Sequence, residues 1–334
     1  MTYRWNTALT RKLGIRLPVL AGGLQWLADA DYVTAAARSG IMGFITAASF
    51  PEPDDLRAQI RTARAACGDL PFGVNVSMLP KLVPGEKTEG IFRLIAEEGV
   101  SVIETSGRNP EPYIPLLKDL GLTLIHKVPA VRYAIKAQSV GVDMVAIVGA
   151  ECGGHPGMDM IGSFVNAAMA GRDLDIPFLI GGGVGHGSQL VAALAMGASG
   201  VVMGTRLLVS EELNAHQGYK QALVDATERD TALTMSSVRN TIRTLANETT
   251  QEVARMEQDN PNVTIQDLLP LVSGQIGRKA YQTGDVSRGM LSAGHALGLT
   301  DRVEPMADII ARIETEALQA IGRLEGVVTQ EIAG

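Results

Sequence analysis

Eight short apolar runs recur along the first two hundred residues, each lacking polar alternation: PVLAGG (18–23), IMGFITA (41–47), FGVNVSM (72–78), VSVIETS (100–106), LTLIHKV (122–128), DMVAIVG (143–149), PFLIGGG (177–183) and GVVMGT (200–205). Continuous runs of this length suit strands buried on both faces, as in a parallel sheet. Between them lie segments with helical spacing at 29–40, 54–68, 88–99, 130–141 and 188–200, several ending in glycine just past the last apolar residue. Eight strand–helix alternations make the count of a (β/α)8 TIM barrel, with an open doubly wound sheet as the alternative.

From about residue 211 the texture changes. Polar helices are predicted over YKQALVDATER and SSVRNTIRTLANETTQEVARMEQ, then a loop-rich stretch over 273–298 and a last amphipathic helix over about 302–328. The division expected is a ligand-binding barrel over 1–212, a helical substrate or cap region over 213–299 covering the rim, and the last helix returning to the barrel wall.

Composition narrows the function. Glycine is 37 of 334 residues, against a usual share near 7%. Net charge is −7, from 29 Lys and Arg against 36 Asp and Glu, so a phosphate-backbone binder is not expected. Two cysteines, Cys67 and Cys152, make neither a disulfide framework nor a zinc site. There is no run of about 18 apolar residues and no leader-like start, so the chain reads as soluble and cytoplasmic, with no membrane association. No ligand spacing for a metal occurs, and none is predicted.

In a barrel of this kind ligands sit where strands end. The strand ends carry Gly22, Gly23 and Leu24, then Asn75, Lys127, the loop GAECGGHPGMD (149–159), the run Gly181, Gly182, Gly183, and Met203, Gly204, Thr205. Glycine turns after strands seven and eight suit a phosphate held by backbone N–H groups, with the Thr205 hydroxyl as a further donor. His155, between glycines at a strand end, has the chemistry of a base or hydrogen-bond donor. Cys152 beside it reads as inert packing. Lys127 closes an apolar strand, where a cation calls for an anion or rim water. His126 points the other way by strand alternation. The run GGGVGHG lacks an early βαβ unit and an acidic residue about twenty positions on, which argues against a dinucleotide fingerprint.

These pieces together resemble the nitronate monooxygenase family, formerly 2-nitropropane dioxygenases: LGIRLPVLAGGLQW, PFGVNVSMLP, the HK pair, ECGGHPG, IGGGVGHGSQLVAALAMGASGVVMGTRLL, SVRNTIRTLANETTQEV and LVSGQIGRKAYQTGDVSRGMLSAGHALGL. The later pieces look like a subgroup containing a bacterial NADH:quinone reductase. The resemblance implies FMN on a TIM barrel, bound by Gly22, Gly23 and Leu24 against the ring, by Asn75 and Lys127 at its polar edge, by Gly153 and Gly154, and by Gly181, Gly182, Gly183, Met203, Gly204 and Thr205 around the phosphate. Leu24 stands where relatives have Met, and Gly181 where they often have Ser. The resemblance makes His155 the base or substrate-orienting donor and puts Ser292 in the loop closing over the flavin. Oxidation of a small alkyl nitronate with O2 is the first expectation. NAD(P)H:quinone reduction, with NADH or NADPH as co-substrate and SMLPKLVPGEKTEG as a gate, is the alternative. Flavin-dependent enoyl or CoA-ester reduction comes third, and a flavin sensor last, since no output domain is readable. The family also allows a homodimer.

Overall fold

The computed structural model describes residues 3–78 and 87–327. The proposed gate falls mostly on 79–86, outside the described residues. Eight parallel strands, β1 (Val19–Ala21), β2 (Met42–Thr46), β3 (Gly73–Ser77), β4 (Val102–Ser106), β5 (Thr123–Val128), β6 (Met144–Val148), β7 (Phe178–Gly181) and β8 (Gly200–Met203), close into a barrel in sequence order, with β8 beside β1. All eight fall within the apolar runs. The chain is therefore a (β/α)8 TIM barrel.

Thirteen α-helices occur among the described residues. Those of the barrel half are α1 (Ala8–Leu13), α2 (Ala30–Arg38), α3 (Pro53–Cys67), α4 (Thr88–Glu97), α5 (Ile114–Asp119), α6 (Val131–Ser139), α7 (Ser163–Asp173) and α8 (Gly187–Ala195). Beyond the barrel lie α9 (Gln217–Asp225), α10 (Glu248–Asp259), α11 (Ile265–Val272), α12 (Gly274–Thr283) and α13 (Met306–Glu325).

Strand alternation sorts the side chains into two cores. Inside the barrel pack Leu20, Met42, Phe44, Val102, Ile125, Met144, Ala146, Leu179 and Val202, and α1 plugs the strand N-terminal end with Leu9 and Leu13. Val19, Ile45, Val74, Ile103, Val145, Ile180 and Val201 face the helices instead. Two residues beyond the inner apolar layer, the inward positions become Gly22, Thr46, Asn75, Glu104, Lys127, Val148 and Gly181. The interior thus changes from apolar to polar and glycine-rich toward the strand C-terminal ends. Helix α13 lies along α8 and α2, burying Ile309, Ile310, Ile313 and Ala317.

The reading of the added region needs correction in two places. Residues 236–258 are not one helix: an antiparallel pair, β9 (Thr231–Thr234) and β10 (Ile242–Leu245), precedes α10. Asn247 ends the strand and starts the helix, because its side chain accepts the Thr250 N–H at 3.1 Å while its amide donates to the carbonyls of Val286 and Gly289. Conversely, the stretch read as loop-rich over 273–298 begins with a helix that was not foreseen, α12, closed by Gly284 in the left-handed region (φ 79°).

Candidate active site

At the top of the barrel interior, three side chains from adjacent strands form one polar cluster. Glu104 on β4 is fully buried, and its Oε2 accepts from Asn75 Nδ2 at 2.5 Å and from Lys127 Nζ at 3.0 Å. Lys127 keeps part of its side chain exposed while Glu104 keeps none. Gly23 must be a glycine here, since a Cβ would stand 2.7 Å from the Cβ of Asn75. Asn75 and Lys127 are brought together here by Glu104, a residue that was missed. The signal was present: a single carboxylate in the apolar run VIETS, at the parity that points inward. His126, one residue earlier than Lys127, faces the helical shell and pairs Nδ1 with Thr105 Oγ1 at 2.8 Å. Burial first, then the Lys127 charge, pulls its pKa down to about 4.

The turns after β7 and β8 have the form of an anion cradle. Gly182 and Gly183 both take positive φ (96° and 70°), which an L side chain rarely adopts. Their shape is fixed from behind. Ser163 Oγ reaches the carbonyls of Gly181 and Gly182 at 2.9 Å each, and Gln189 donates to the Gly183 carbonyl while accepting from Gly185 N–H. The N–H groups of Gly183 and Gly204 find no acceptor among the described residues. Such unpaired backbone donors on glycine turns suit phosphate oxygens. A Cβ on Gly204 would meet only Leu24 Cδ2, at 3.7 Å, so the approach is open there. Gly22 closes the strand circle by donating to the Met203 carbonyl at 2.9 Å. The Met203 side chain itself is fully buried toward the helices, so only its backbone belongs to the rim.

The loop after β6 carries His155 over this rim and is tied down by β10. Gly154 and Arg243 exchange backbone hydrogen bonds at 2.9 and 2.7 Å, while Thr244 bridges to Ser292 and Leu245 N–H bonds the Leu291 carbonyl at 2.8 Å. Strand β10 therefore zips the His155 loop to the Ser292 loop. A Cβ on Gly154 would lie 3.9 Å from Ser292 Oγ, so the hydroxyl stands beside the His155 backbone. Thr205 Oγ1 accepts from Gly294 N–H at 2.9 Å, anchoring the same loop to β8 and leaving its own proton to donate. The His155 ring is reached by solvent, yet the surrounding protein desolvates it and lowers its pKa. It is an uncharged imidazole at neutral pH. Cys152 is buried, and its thiol is pushed up to about 12 by desolvation against a smaller pull from Lys127, so it is no nucleophile.

One more rim residue, the tryptophan that ends LGIRLPVLAGGLQW, has an unusual conformation. Trp26, after β1, has φ 69°, rare for a bulky side chain, and its Nε1 is buried without a partner among the described residues. Arg278 of α12 stacks on the indole at 5.0 Å, seating the added region on the rim. Among the described residues no cluster of three or more His, Cys, Asp or Glu could hold a metal ion, and no helix is long and apolar enough to cross a membrane.

The relatives agree with this architecture. The sequence profile of the nitronate monooxygenase family matches residues 6–316. A Mycobacterium tuberculosis (3aS,4S,5R,7aS)-5-hydroxy-7a-methyl-1-oxo-octahydro-1H-indene-4-carboxyl-CoA dehydrogenase is 34% identical over 226 residues, 67% of this chain but only 61% of that protein. A probable nitronate monooxygenase of Staphylococcus saprophyticus is 26% identical over 358 aligned positions, covering 95% of this chain and 99% of its own. The structure of FabK from Thermotoga maritima superposes with a TM-score of 0.87 at 32% identity, over 97% of this chain and 99% of that one. A barrel whose C-terminal rim joins a glycine cradle to a desolvated histidine, with a family match over nearly its whole length, leads to one assignment: the chain belongs to the nitronate monooxygenase family of oxidoreductases.

Proposed function

We propose that this protein binds FMN at the C-terminal rim and oxidises a small alkyl nitronate with O2. The observation that carries the cofactor reading is a pair of N–H groups, Gly183 and Gly204, without an acceptor among the described residues, on the turns after β7 and β8. These amides would hold the phosphate, with Thr205 adding its hydroxyl. Gly22, Gly23 and Leu24 would lie against the ring, and Asn75 and Lys127 at its polar edge. When bound, FMN supplies the redox chemistry, taking electrons from the substrate and returning them to O2.

The chain's own groups serve the substrate. A nitronate carries its negative charge on two oxygens. The neutral His155 imidazole offers one N–H to them and one lone pair for a proton, and the Ser292 hydroxyl stands beside the same loop.

A second reading is NAD(P)H:quinone reduction by the same cofactor. It is favoured by SGQIGRKAYQTGD (273–285), most of which folds as α12 and places Arg278 on Trp26. The likeness to FabK and to a CoA-ester dehydrogenase supports reduction of an enoyl or CoA ester as a further possibility. One experiment separates them: anaerobic mixing of the FMN-loaded protein with propionate 3-nitronate, NADH or NADPH. Bleaching of the yellow colour by nitronate alone is expected. Rapid bleaching by a nicotinamide with no response to nitronate would overturn the first reading in favour of the second.

A further inference from the structure

The Glu104–Lys127–Asn75 cluster is asymmetric. Glu104 has no exposed surface, and both of its bonds enter one oxygen, while Oε1 has no partner among the described residues. A buried carboxylate is costly unless it does something for its neighbours, and apolar residues fill the layer beneath it. An ionised carboxylate only accepts hydrogen bonds, so Asn75 must turn Nδ2 toward it and leave Oδ1 facing away. Ser77 Oγ lies 3.4 Å from that oxygen. Lys127, also held by Glu104, keeps its remaining ammonium protons for the rim side. The cluster therefore presents an acceptor and a cationic donor side by side. The pyrimidine edge of a flavin, an imide N–H between two carbonyls, offers the converse pattern.

We propose that Glu104 is a positioning residue for the flavin. It fixes the Asn75 amide in one orientation and offsets part of the Lys127 charge, and so sets the reduction potential of the bound cofactor. This rests on the FMN reading above. An uncompensated cation beside the ring favours the reduced, anionic flavin. Replacing Glu104 by Gln keeps its shape and its acceptor but removes its charge.

The test measures FMN affinity and midpoint potential in E104Q, E104D, K127M and E104Q/K127M, with thermal unfolding as the control for folding. In E104Q the two-electron reduction equilibrium should shift tenfold or more toward the reduced form, a rise of about 30 mV. E104D, which keeps the charge, should stay within threefold of the wild type while binding FMN more weakly. Because Glu104 acts through Lys127, adding E104Q to K127M should move the equilibrium less than threefold. A potential unchanged in E104Q, or a tenfold shift in the K127M background, overturns the proposal. Should E104Q fail to load flavin, the comparison of K127M with E104Q/K127M decides alone. A wild-type protein that takes up no FMN would instead sink the flavin reading itself.

Discussion

Gly153 and Gly294 meet backbone to backbone. A methyl group built on Gly153 would stand 2.8 Å from the amide nitrogen of Gly294, and one built on Gly294 would stand 2.5 Å from the amide nitrogen of Gly153. Around this contact the His295 N–H bonds the Glu151 carbonyl at 3.0 Å, and β10 pairs with both flanking loops. The loop bearing His155 and the loop bearing Ser292 are held in register by the absence of two side chains.

Gly294→Ala should force these loops apart. We expect a loss of about 1–3 kcal/mol in stability, the usual effect of overpacking. Turnover should fall by about tenfold or more, since small displacements of positioning groups are felt in rate. Urea unfolding and steady-state kinetics check both. Wild-type stability together with wild-type turnover would mean the contact is dispensable.

Desolvation holds His155 below its ordinary value of 6.5, so the ring is neutral above that pH. Turnover that depends on the neutral ring should be level above pH 6.5 and decline only on acidification below it. His155→Ala should lower kcat/KM by about 10²–10⁴-fold and abolish that acidic limb. A limb that survives in the variant belongs to another group.

His126 gives the fold an acid sensitivity of its own. Its folded pKa is about 4 against 6.5 when solvated, so between those values the unfolded chain binds more protons and stability drops as the pH is lowered. The loss begins near pH 6.5, is complete near pH 4, and amounts to about 3 kcal/mol at most. His126→Gln should flatten this window, measured as the difference in urea midpoint between pH 7 and pH 4.5. Equal slopes for the two proteins would assign the sensitivity elsewhere.

The rim is also braced from outside. Arg206, 2% exposed, donates from Nη2 to Glu304 Oε1 at 3.1 Å, and Arg312 forms an ion pair with the same carboxylate. Burial, then repulsion from Arg312, draws Arg206 down to about 10, still cationic at neutral pH. Glu304→Gln leaves the buried Arg206 with only Asp301, 3.9 Å away, while Arg312 keeps two bonds to Asp301, and should cost about 3 kcal/mol. Arg206→Met leaves Glu304 still paired with Arg312 and should cost clearly less. The reverse order in denaturant midpoints at equal m-value would refute this account of the bracing.

The sequence was most legible where burial was two-sided. Strands such as DMVAIVG and PFLIGGG declare themselves because both faces are covered, so no polar position interrupts them. It was least legible in 236–247. The apolar residues Val238, Ile242 and Leu245 recur at three- and four-residue spacing, which fits a helix as well as a strand. What makes 242–245 a strand is pairing with β9 and with residues 154 and 292, all distant in sequence. Glu104 was overlooked for a related reason: one carboxylate in a strand has no meaning until the neighbouring strand places Lys127 beside it.

By itself the sequence determined the barrel, its eight strands and the rim on which the glycines and His155 lie, because local periodicity and glycine turns encode those features directly. The tertiary structure alone decided that Glu104 joins Asn75 and Lys127, that β10 binds the His155 loop to the Ser292 loop, and that Trp26 carries Arg278. Each of these depends on groups brought together across the barrel or across the chain. Hydrogen bonds and charges act over a few ångströms of space, and separation along the chain says nothing about that distance.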